Sequence, residues 1–548
     1  MRDYSFIIAG RAGDGIRQAG SLLARVLARL NYRIYFWDDY PSLIRGGHNF
    51  SIVRASDYPV QAFGSAADIV VALNEAAAGK HTNLKPGGFL VYDSDTFEAS
   101  GVGIGLAGIV KELGGKPVMR NVAAVGATAR LIGVDWHIVE DVIGKAVPRD
   151  ADLNLRIARS GYDKAGKPRL KLEKLEGEPL ALVQGNEAIA LGAARAGLKI
   201  YIAYPMTPAS SILHFLARYE DELGLVTYHP ENEIAAVITA IGAAYAGART
   251  MVGSSGGGFA LMTEGVSLCA QSETPVVFVV SQRPGPSTGV PTYTMQADLH
   301  FVLNSGQGDI VRFVVAPGDP DEAFIWTGHA LNLAWKYQIP AFVLTDKNLS
   351  ESTYSFESKG DEVERGNERL WDGDGTYKRY LMSEDGVSPL AFAGREGAVV
   401  KATSYEHDEF GIAAEEPEAI ERMQTKRLTK RKGLYEDISR MEAVKTYGNT
   451  HSKVGLVCWG STKGACVEVA QRLDLKVIQP IVLEPFPVEQ VKEALQGVTR
   501  VIGIETNATG ALCRLLSCNG LAVDERILKF DGRPFDVDVL EREVSKVV

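Results

Sequence analysis

Apolar residues fall along this chain in two alternating rhythms. Short, nearly continuous runs such as YSFIIAG (4–10), YRIYFWDD, NFSIVRAS, DIVVALN and GGFLVYDSD read as strands. Their length and their β-branched and aromatic content suit a pleated, largely buried surface. Among them, IRQAGSLLARVLARL places its apolar residues at helical spacing. Alternation of this kind predicts an open α/β sheet with a parallel portion. A second series runs from KIYIAYP through LVTYHP, TMVGSS, PVVFVVSQ, IVRFVVAP and PAFVLTD, ending near Asp346. A third, smaller one begins at KVGLVCWGS and continues through KVIQPIVLEPFP and RVIGIETN. The expected fold class is therefore α/β and multidomain, with no short solenoid repeat.

Two polar stretches separate the series. DKAGKPRLKLEKLEGEP (Asp163 to Pro179) reads as a linker. From Asp346 to about Asn449 the composition turns polar and ends in a basic helix carrying Lys426, Arg427, Lys430, Arg431 and Lys432. Such a run reads as a solvated helix face rather than an anion site.

One stretch breaks the pattern. ENEIAAVITAIGAAYAGA (Glu231 to Ala248) opens on two carboxylates and is otherwise almost wholly apolar, with nine Ala and Gly after Glu233. Small residues suit close packing against another element, so we expect a core helix. An acid at a helix start complements the macrodipole, which accounts for Glu231. Glu233, at the mouth of the buried stretch, is harder to place, because an unpaired buried charge is costly.

Composition narrows the class without changing this picture. The 548 residues predict roughly three or four domains of about 150 residues. With 46% hydrophobic and 23% charged residues the chain can bury large cores. Its formal charge of −10 argues against nucleic acid as the main partner. The start, MRDYSF, leads straight into a strand without a charged-then-apolar signal pattern. The longest near-apolar run, Ile234 to Ala248, falls short of the roughly 20 residues that span a bilayer. A cytoplasmic protein with no membrane partner is expected. Cys269, Cys458, Cys466, Cys513 and Cys518 form no C-x-x-C pair. They are expected to be buried free thiols rather than ligands of zinc or an iron–sulfur cluster.

Two glycine-rich stretches follow strands and open helices. GRAGDGIRQAG (Gly10 to Gly20) is neither a dinucleotide fingerprint nor a Walker A motif. Its glycines either cradle a phosphate or only tighten the turn. Asp38 and Asp39 end the next strand, where they read a ribose hydroxyl or are solvated loop acids. RGGHNFSIVR adds Arg45 and His48 beside flexible glycines. In GSSGGGFALM (Gly253 to Met262) the serines can bond a ligand, and the glycines let its rings approach the backbone. GDG occurs at Gly13 to Gly15 and at Gly373 to Gly375, but no Asn follows at the distance a diphosphate–Mg²⁺ motif requires. Neither copy is taken as a metal site.

YPMTPAS (Tyr204 to Ser210) closely resembles the Y-P-I-T-P-S-S motif of 2-oxoacid:ferredoxin oxidoreductases. The block from ENEIAAV through GSSGGG resembles the next motif of that family, and SQRPGPSTGVPT (Ser281 to Thr292) the one after. GRAGDGI and RGGHN resemble its separate gamma module, and YEHDEFG with the basic connector resembles the middle of its alpha chain. The motifs stand in order along essentially the full length. The resemblance implies a gamma-like α/β domain at 1–175 and a thiamine pyrimidine-binding α/β domain at 176–360. A connector at 361–450 and a transketolase-C-terminal-like α/β domain at 451–548 follow.

The resemblance also assigns roles. Glu233 matches the glutamate that contacts N1′ of the thiamine aminopyrimidine and exchanges a proton with it. Thr207 matches the threonine that hydrogen-bonds substrate. Arg283 matches the arginine that grips the substrate carboxylate, a task suited to a planar fork. Tyr204, Pro205, Pro208, Ser254, Ser255 and Gly256 are implied cofactor contacts. Gly10, Gly13, Gly15, Arg45, Gly46, Gly47 and His48 are implied coenzyme A contacts. Mg²⁺ and a [4Fe–4S] cluster belong, by the same resemblance, to a separate beta subunit that shares the thiamine diphosphate, in an (alpha–beta)₂ assembly serving ferredoxin. The implied reaction is oxidative decarboxylation of a 2-oxoacid, 2-oxoglutarate favoured, with coenzyme A. Two rivals remain: a non-redox thiamine-dependent subunit of decarboxylase or transketolase type, and a non-catalytic nucleotide-binding assembly subunit. The first would give a colourless complex; the second would bind an adenine nucleotide without thiamine.

Overall fold

A computed structural model describes residues 1–42 and 46–548. They form two compact units. The first comprises Met1–Gln184, Ser352–Glu357 and Phe535–Arg542; the second comprises Gly185–Glu351, Ser358–Pro534 and Glu543–Val548. Among the described residues no helix is long and apolar enough to cross a membrane.

The first unit is built on an eight-stranded mixed sheet. Its strands are β1 (Asp3–Ala12), β2 (Arg33–Asp39), β3 (Gly46–Ser56), β4 (Ala67–Ala72), β5 (Leu84–Asp93), β6 (Val102–Ile104), β7 (Ala181–Gln184) and β14 (Thr353–Phe356). The order is β6-β5-β4-β1-β3-β2-β14-β7. β1, β4, β5 and β6 run parallel, whereas β3 is antiparallel to both β1 and β2. Helix α1 (Ile16–Ala28) lays Ala19, Leu22, Leu23, Val26 and Leu27 into the core, as its spacing predicts. Helices α2 (Arg120–Leu131) and α3 (Ala151–Lys164) cross at two glycines. A Cβ at Gly126 would collide with the Ala158 carbonyl, and one at Gly161 with the Ala123 carbonyl.

The charged stretch expected as a linker is stitched to this unit. Leu172 is buried in its core, the Leu175 N–H donates to the Leu30 carbonyl (3.0 Å), and Asn31 Nδ2 donates to the carbonyls of Leu175 and Gly177 (2.8 and 2.7 Å). Leucines spaced among lysines and glutamates anchor the segment while its charges stay wet.

The second unit contains two further sheets. The larger holds β8 (Ile200–Ile202), β9 (Val226–Tyr228), β10 (Thr250–Ser254), β11 (Val276–Gln282), β12 (Phe313–Val315), β13 (Pro340–Asp346) and β18 (Val482–Glu484). Its order is β18-β12-β13-β11-β10-β8-β9, parallel except for β18. β11 and β13 are buried along their whole length and pair from Val276↔Pro340 to Gln282↔Asp346. Continuous apolar runs of this kind belong to parallel strands covered on both faces. The smaller sheet holds β15 (Val444–Gly448), β16 (Val454–Val457), β17 (Lys476–Pro480), β19 (Arg500–Glu505) and β20 (Glu525–Leu528), in the order β15-β17-β16-β19-β20.

Three expectations are corrected here. Helix α4 (Glu233–Tyr245) is not wholly a core helix. It packs on α5 (Gly256–Gln271) with Val237 against Gly265, but Ile234 and Ile238 are 52% and 42% exposed. A helix apolar all round gives no sequence signal for which side is covered. Among the thiols, Cys269, Cys458, Cys466 and Cys513 are buried, but Cys518 is exposed, at the end of the helix Ala511–Cys518.

The third correction concerns the basic run, which lies on a helix, Pro417–Ser439. It is a solvated face only at Arg431 and Lys432; Arg427 is buried, and Lys426 and Lys430 are each only 1% exposed. Lys426 Nζ donates to both carboxylate oxygens of buried Glu273 at 2.7 Å, and Lys430 pairs with the same carboxylate. Arg427 forks onto Glu406 at 2.9 and 2.6 Å, and Arg431 reaches Glu484 at 3.3 Å. Burial pushes the Lys430 ammonium down to about 7, against the pull of Glu273. Burial opposes ionisation of Glu273 too, but the two lysines and Arg379 hold its carboxyl below the usual range. The partner glutamate lies more than a hundred residues away, so the run by itself shows only charge.

Candidate functional site

Three motif-bearing loops leave the same edge of the larger sheet. β8, β10 and β11 are neighbours, and they are followed by Tyr204–Ser210, by the start of α5 and by Arg283 respectively. Loops at the carboxyl ends of parallel strands are where open α/β sheets place ligands.

Arg283 and Thr207, far apart in sequence, meet here: Arg283 Nη1 donates to the Thr207 carbonyl at 2.7 Å. The rest of the fork is less committed, and Arg283 Nε is buried without a partner. Pro208 is held in turn, its carbonyl accepting from Asn186 Nδ2 at 2.8 Å. Ser254 and Ser255, both buried, aim their hydroxyls at the Met206 sulfur, at 3.7 and 3.1 Å. Tyr204 is partly exposed (38%) and packs edge-on against His229, with centroids 5.8 Å apart.

Glu233 is the first residue of α4 and is only 3% exposed. The helix is capped by its neighbour: Asn232 accepts from the Ala235 N–H at 2.9 Å. Glu231, expected as the helix-start acid, lies outside the helix and is exposed. Glu233 is therefore not needed as a cap, and its Oε1 is buried with no hydrogen-bond partner. Gly258 on α5 faces that oxygen. A Cβ there would sit 2.5 Å from Glu233 Oε1 and collide with Ser254 Oγ. An unsatisfied buried carboxylate oxygen costs at least about 1–3 kcal/mol, and only a glycine lets α5 approach Glu233 and Ser254 this closely.

The first unit gathers the other candidates at one corner. β1 and β3 pair Gly10↔Asn49 and Ala12↔Gly46, with an irregularity between, so the two glycine stretches are adjacent. Gly15 caps α1 at φ 71°, and Asn121 Nδ2 donates to its carbonyl at 3.0 Å. Gly13, Gly46 and Gly47 also have positive φ. Asp14 serves its own loop, accepting from the Arg11 N–H at 2.8 Å and pairing with Arg120 at 3.1 Å. His48 Nε2 lies 2.8 Å from His81 Nε2, and its ring stacks on Phe50. Burial, His48 and Lys80 push His81 down to about 4. Arg45 lies outside the described residues. Asp38 and Asp39 are buried rather than solvated; Asp38 bonds Ser51 and pairs with Arg17 at 3.2 Å. Both line a cavity of about 220 Å³ with Ile16, Asn49 and Phe50.

The chain was compared with known proteins. Residues 191–426 match the family described as "Pyruvate flavodoxin/ferredoxin oxidoreductase, thiamine diP-bdg", and residues 5–164 match "Pyruvate ferredoxin/flavodoxin oxidoreductase". The alpha subunit of a 2-oxoacid:ferredoxin oxidoreductase from Saccharolobus solfataricus is 31% identical over 99% of this chain and 98% of its own. The chain belongs to this family of alpha subunits. A 2-oxoglutarate oxidoreductase subunit KorA from Mycobacterium tuberculosis is 26% identical, over 97% of this chain and 90% of its own. Among solved structures, 2-oxoglutarate:ferredoxin oxidoreductase from Magnetococcus marinus superposes with a TM-score of 0.91 and 30% identity. It covers 100% of this chain and 99% of its own, and is described with 2-oxoglutarate, coenzyme A and succinyl-CoA bound.

In this alpha subunit the structure adds residues that the motifs did not single out. Asn186 and Met206 brace the Tyr204–Ser210 turn. Asp298 caps no helix N–H at the start of the short helix α6 (Leu299–Leu303); its carboxylate leans across Gly256. Only the fold brings Asp298 to α5, and QADLH reads locally as nothing more than a helix start. Among the described residues no three His, Cys, Asp or Glu side chains converge to hold a metal ion.

Proposed function

We propose that this alpha subunit, with residues 1–175 as a fused gamma-like module, works with a beta subunit to decarboxylate a 2-oxoacid oxidatively. Coenzyme A takes the acyl group and ferredoxin the electrons, and 2-oxoglutarate is the favoured substrate. The observation that carries the reading is Glu233: a buried carboxylate oxygen left without a partner, packed close against a glycine of α5.

Thiamine diphosphate fits this arrangement. Glu233 presents the acceptor that an aminopyrimidine nitrogen needs, and Tyr204, Pro205, Pro208, Ser254, Ser255 and Gly256 line the same sheet edge. The cofactor, when bound, supplies the carbanion chemistry on the 2-oxoacid carbonyl. The chain's residues do the rest. Glu233 holds or passes one proton at the ring nitrogen. Arg283, fixed by the Thr207 carbonyl, directs its remaining N–H groups at the substrate carboxylate. Thr207 is the residue assigned to hydrogen-bond the substrate.

Mg²⁺, the diphosphate contacts and a [4Fe–4S] cluster fall to the beta subunit, in an (alpha–beta)₂ complex in the cytoplasm. Exposed Ile234, Ile238 and Leu261 on α4 and α5 support a partner surface beside Glu233, since apolar groups of this size favour burial. Gly10, Gly13, Gly15, Gly46, Gly47 and His48 are the proposed coenzyme A corner. The Magnetococcus marinus enzyme, with 2-oxoglutarate and coenzyme A bound, supports both ligands.

The test is the native complex. It should show the visible absorption of an iron–sulfur protein and reduce ferredoxin only with a 2-oxoacid and coenzyme A present. The isolated chain should bind thiamine diphosphate poorly in calorimetry and the complex tightly. A colourless complex, or tight Mg²⁺-dependent binding by the chain alone, would overturn the proposal.

A further inference from the structure

Asp298 is the ionisable group of this site that the proposed chemistry leaves unused. Its backbone N–H is pinned to Gln282 Oε1 at 2.8 Å, so the residue is tied to the end of β11, at the residue that precedes Arg283. Its carboxylate leans over the first turn of α5, where a Cβ at Gly256 would collide with Oδ2. It makes no capping bond. Arg283 acts on it electrostatically without closing to an ion pair, because the guanidinium is held by the Thr207 carbonyl. Of the other elements packed here, α5 offers only glycines at this point. Glu233 stands behind Gly258, and His300 on α6 is turned away to the Ala511 carbonyl at 2.9 Å. The site thus holds one cation and one nearby acid with a proton-accepting oxygen to spare.

A substrate carboxylate arriving at Arg283 adds a second negative charge to this partly buried space. Two carboxylates sharing one cation in a low-dielectric site do not both stay ionised; one of them takes a proton. We infer that Asp298 is a positioning residue that takes up a proton from solvent when the 2-oxoacid carboxylate binds Arg283. Protonated, Asp298 turns from a repelling anion into a hydrogen-bond donor. The site's charge then stays constant through binding. Burial, opposed by Arg283, already pushes the empty-site carboxyl up to about 6, close to where such an exchange operates. This inference rests on the proposed role of Arg283.

The test uses the alpha–beta complex with whichever of 2-oxoglutarate and pyruvate reduces ferredoxin faster, assayed from pH 5.5 to 8.5. kcat/KM reports the free enzyme and kcat the loaded one. We expect wild-type kcat/KM to be level below about pH 6 and then to fall tenfold per pH unit, as uptake of one proton requires. kcat should stay within about twofold across the same interval. Asp298→Asn, neutral at every pH and still a donor, should flatten kcat/KM and exceed wild type above pH 7. A merely structural role would lower it instead. Gly256→Ala, which displaces the carboxylate without removing it, should shift the inflection by more than about half a pH unit. Arg283→Ala should lower kcat/KM at every pH. If Asp298→Asn keeps the wild-type slope, the inference falls while the role of Arg283 stands. If Arg283→Ala behaves as wild type, the carboxylate assignment itself fails. The wild-type profile is decisive even where a variant does not assemble: a kcat/KM level from pH 6 to 8 would overturn the inference.

Discussion

Two glutamates in the second unit are equally buried and treated in opposite ways. Glu273 sits among Lys426, Lys430 and Arg379, with both carboxylate oxygens bonded. Glu233 has a buried oxygen with no partner at all. Burying a charge is costly unless it is paired. The chain solves that problem for one carboxylate, with a helix brought from more than a hundred residues away, and leaves it unsolved for the other. Under the proposed function, the unpaired oxygen of Glu233 is where the cofactor ring bonds. Glu273 is paired within the fold; Glu233 is not.

Replacing each acid should break this comparison in a different currency. Glu233→Gln keeps shape and packing but cannot exchange a proton. We expect ferredoxin reduction by the complex to fall by roughly 10²–10⁴-fold while the thermal midpoint stays level or rises. A variant that retained wild-type turnover would return Glu233 to the class of structural acids. Glu273→Gln leaves two buried lysines without a counter-charge, at a cost of about 3–5 kcal/mol. Chemical unfolding should show that loss, and turnover per assembled complex should not change.

Arg283→Ala should lower kcat/KM by about 2–4 kcal/mol of transition-state stabilisation, with Arg283→Lys recovering only part, since one ammonium cannot reproduce the fork. Unimpaired kinetics would remove it from the site.

The lysines sharpen the contrast through pH. Lys430 is held down to about 7 in the folded chain against an ordinary 10.5. Between those values the unfolded chain binds a proton that the folded one does not, so stability should rise with pH across that window. Lys430→Met should flatten the rise in unfolding midpoints measured from pH 7 to pH 10. The smallest effect belongs to Glu231→Gln. The residue is exposed and outside the helix, so stability should move by less than about 0.5 kcal/mol and ferredoxin reduction should not move at all. A large loss there would mean that the wrong acid of the pair had been chosen.

Local pattern and motif carried much of this protein. The alternation of apolar runs with helical spacing determined the α/β class, because strand and helix periods are set by backbone geometry that each segment carries with it. The ordered motifs from YPMTPAS to SQRPGPSTGVPT pointed to the family, since residues used in one chemistry keep their spacing. Periodicity was silent wherever both faces of an element are apolar or both are charged. It could not tell that α4 leaves Ile234 and Ile238 uncovered, or that Lys426 and Lys430 turn inward to Glu273. Nor could it bring Asp298 across to Gly256, or Arg283 to the Thr207 carbonyl. Those contacts join residues 42 and 76 positions apart, and only parallel strands that bring distant loops to one sheet edge close such distances. The sequence supplied the chemical groups and their local conformation; the tertiary fold decided which charges are paired and which are left with unpaired atoms.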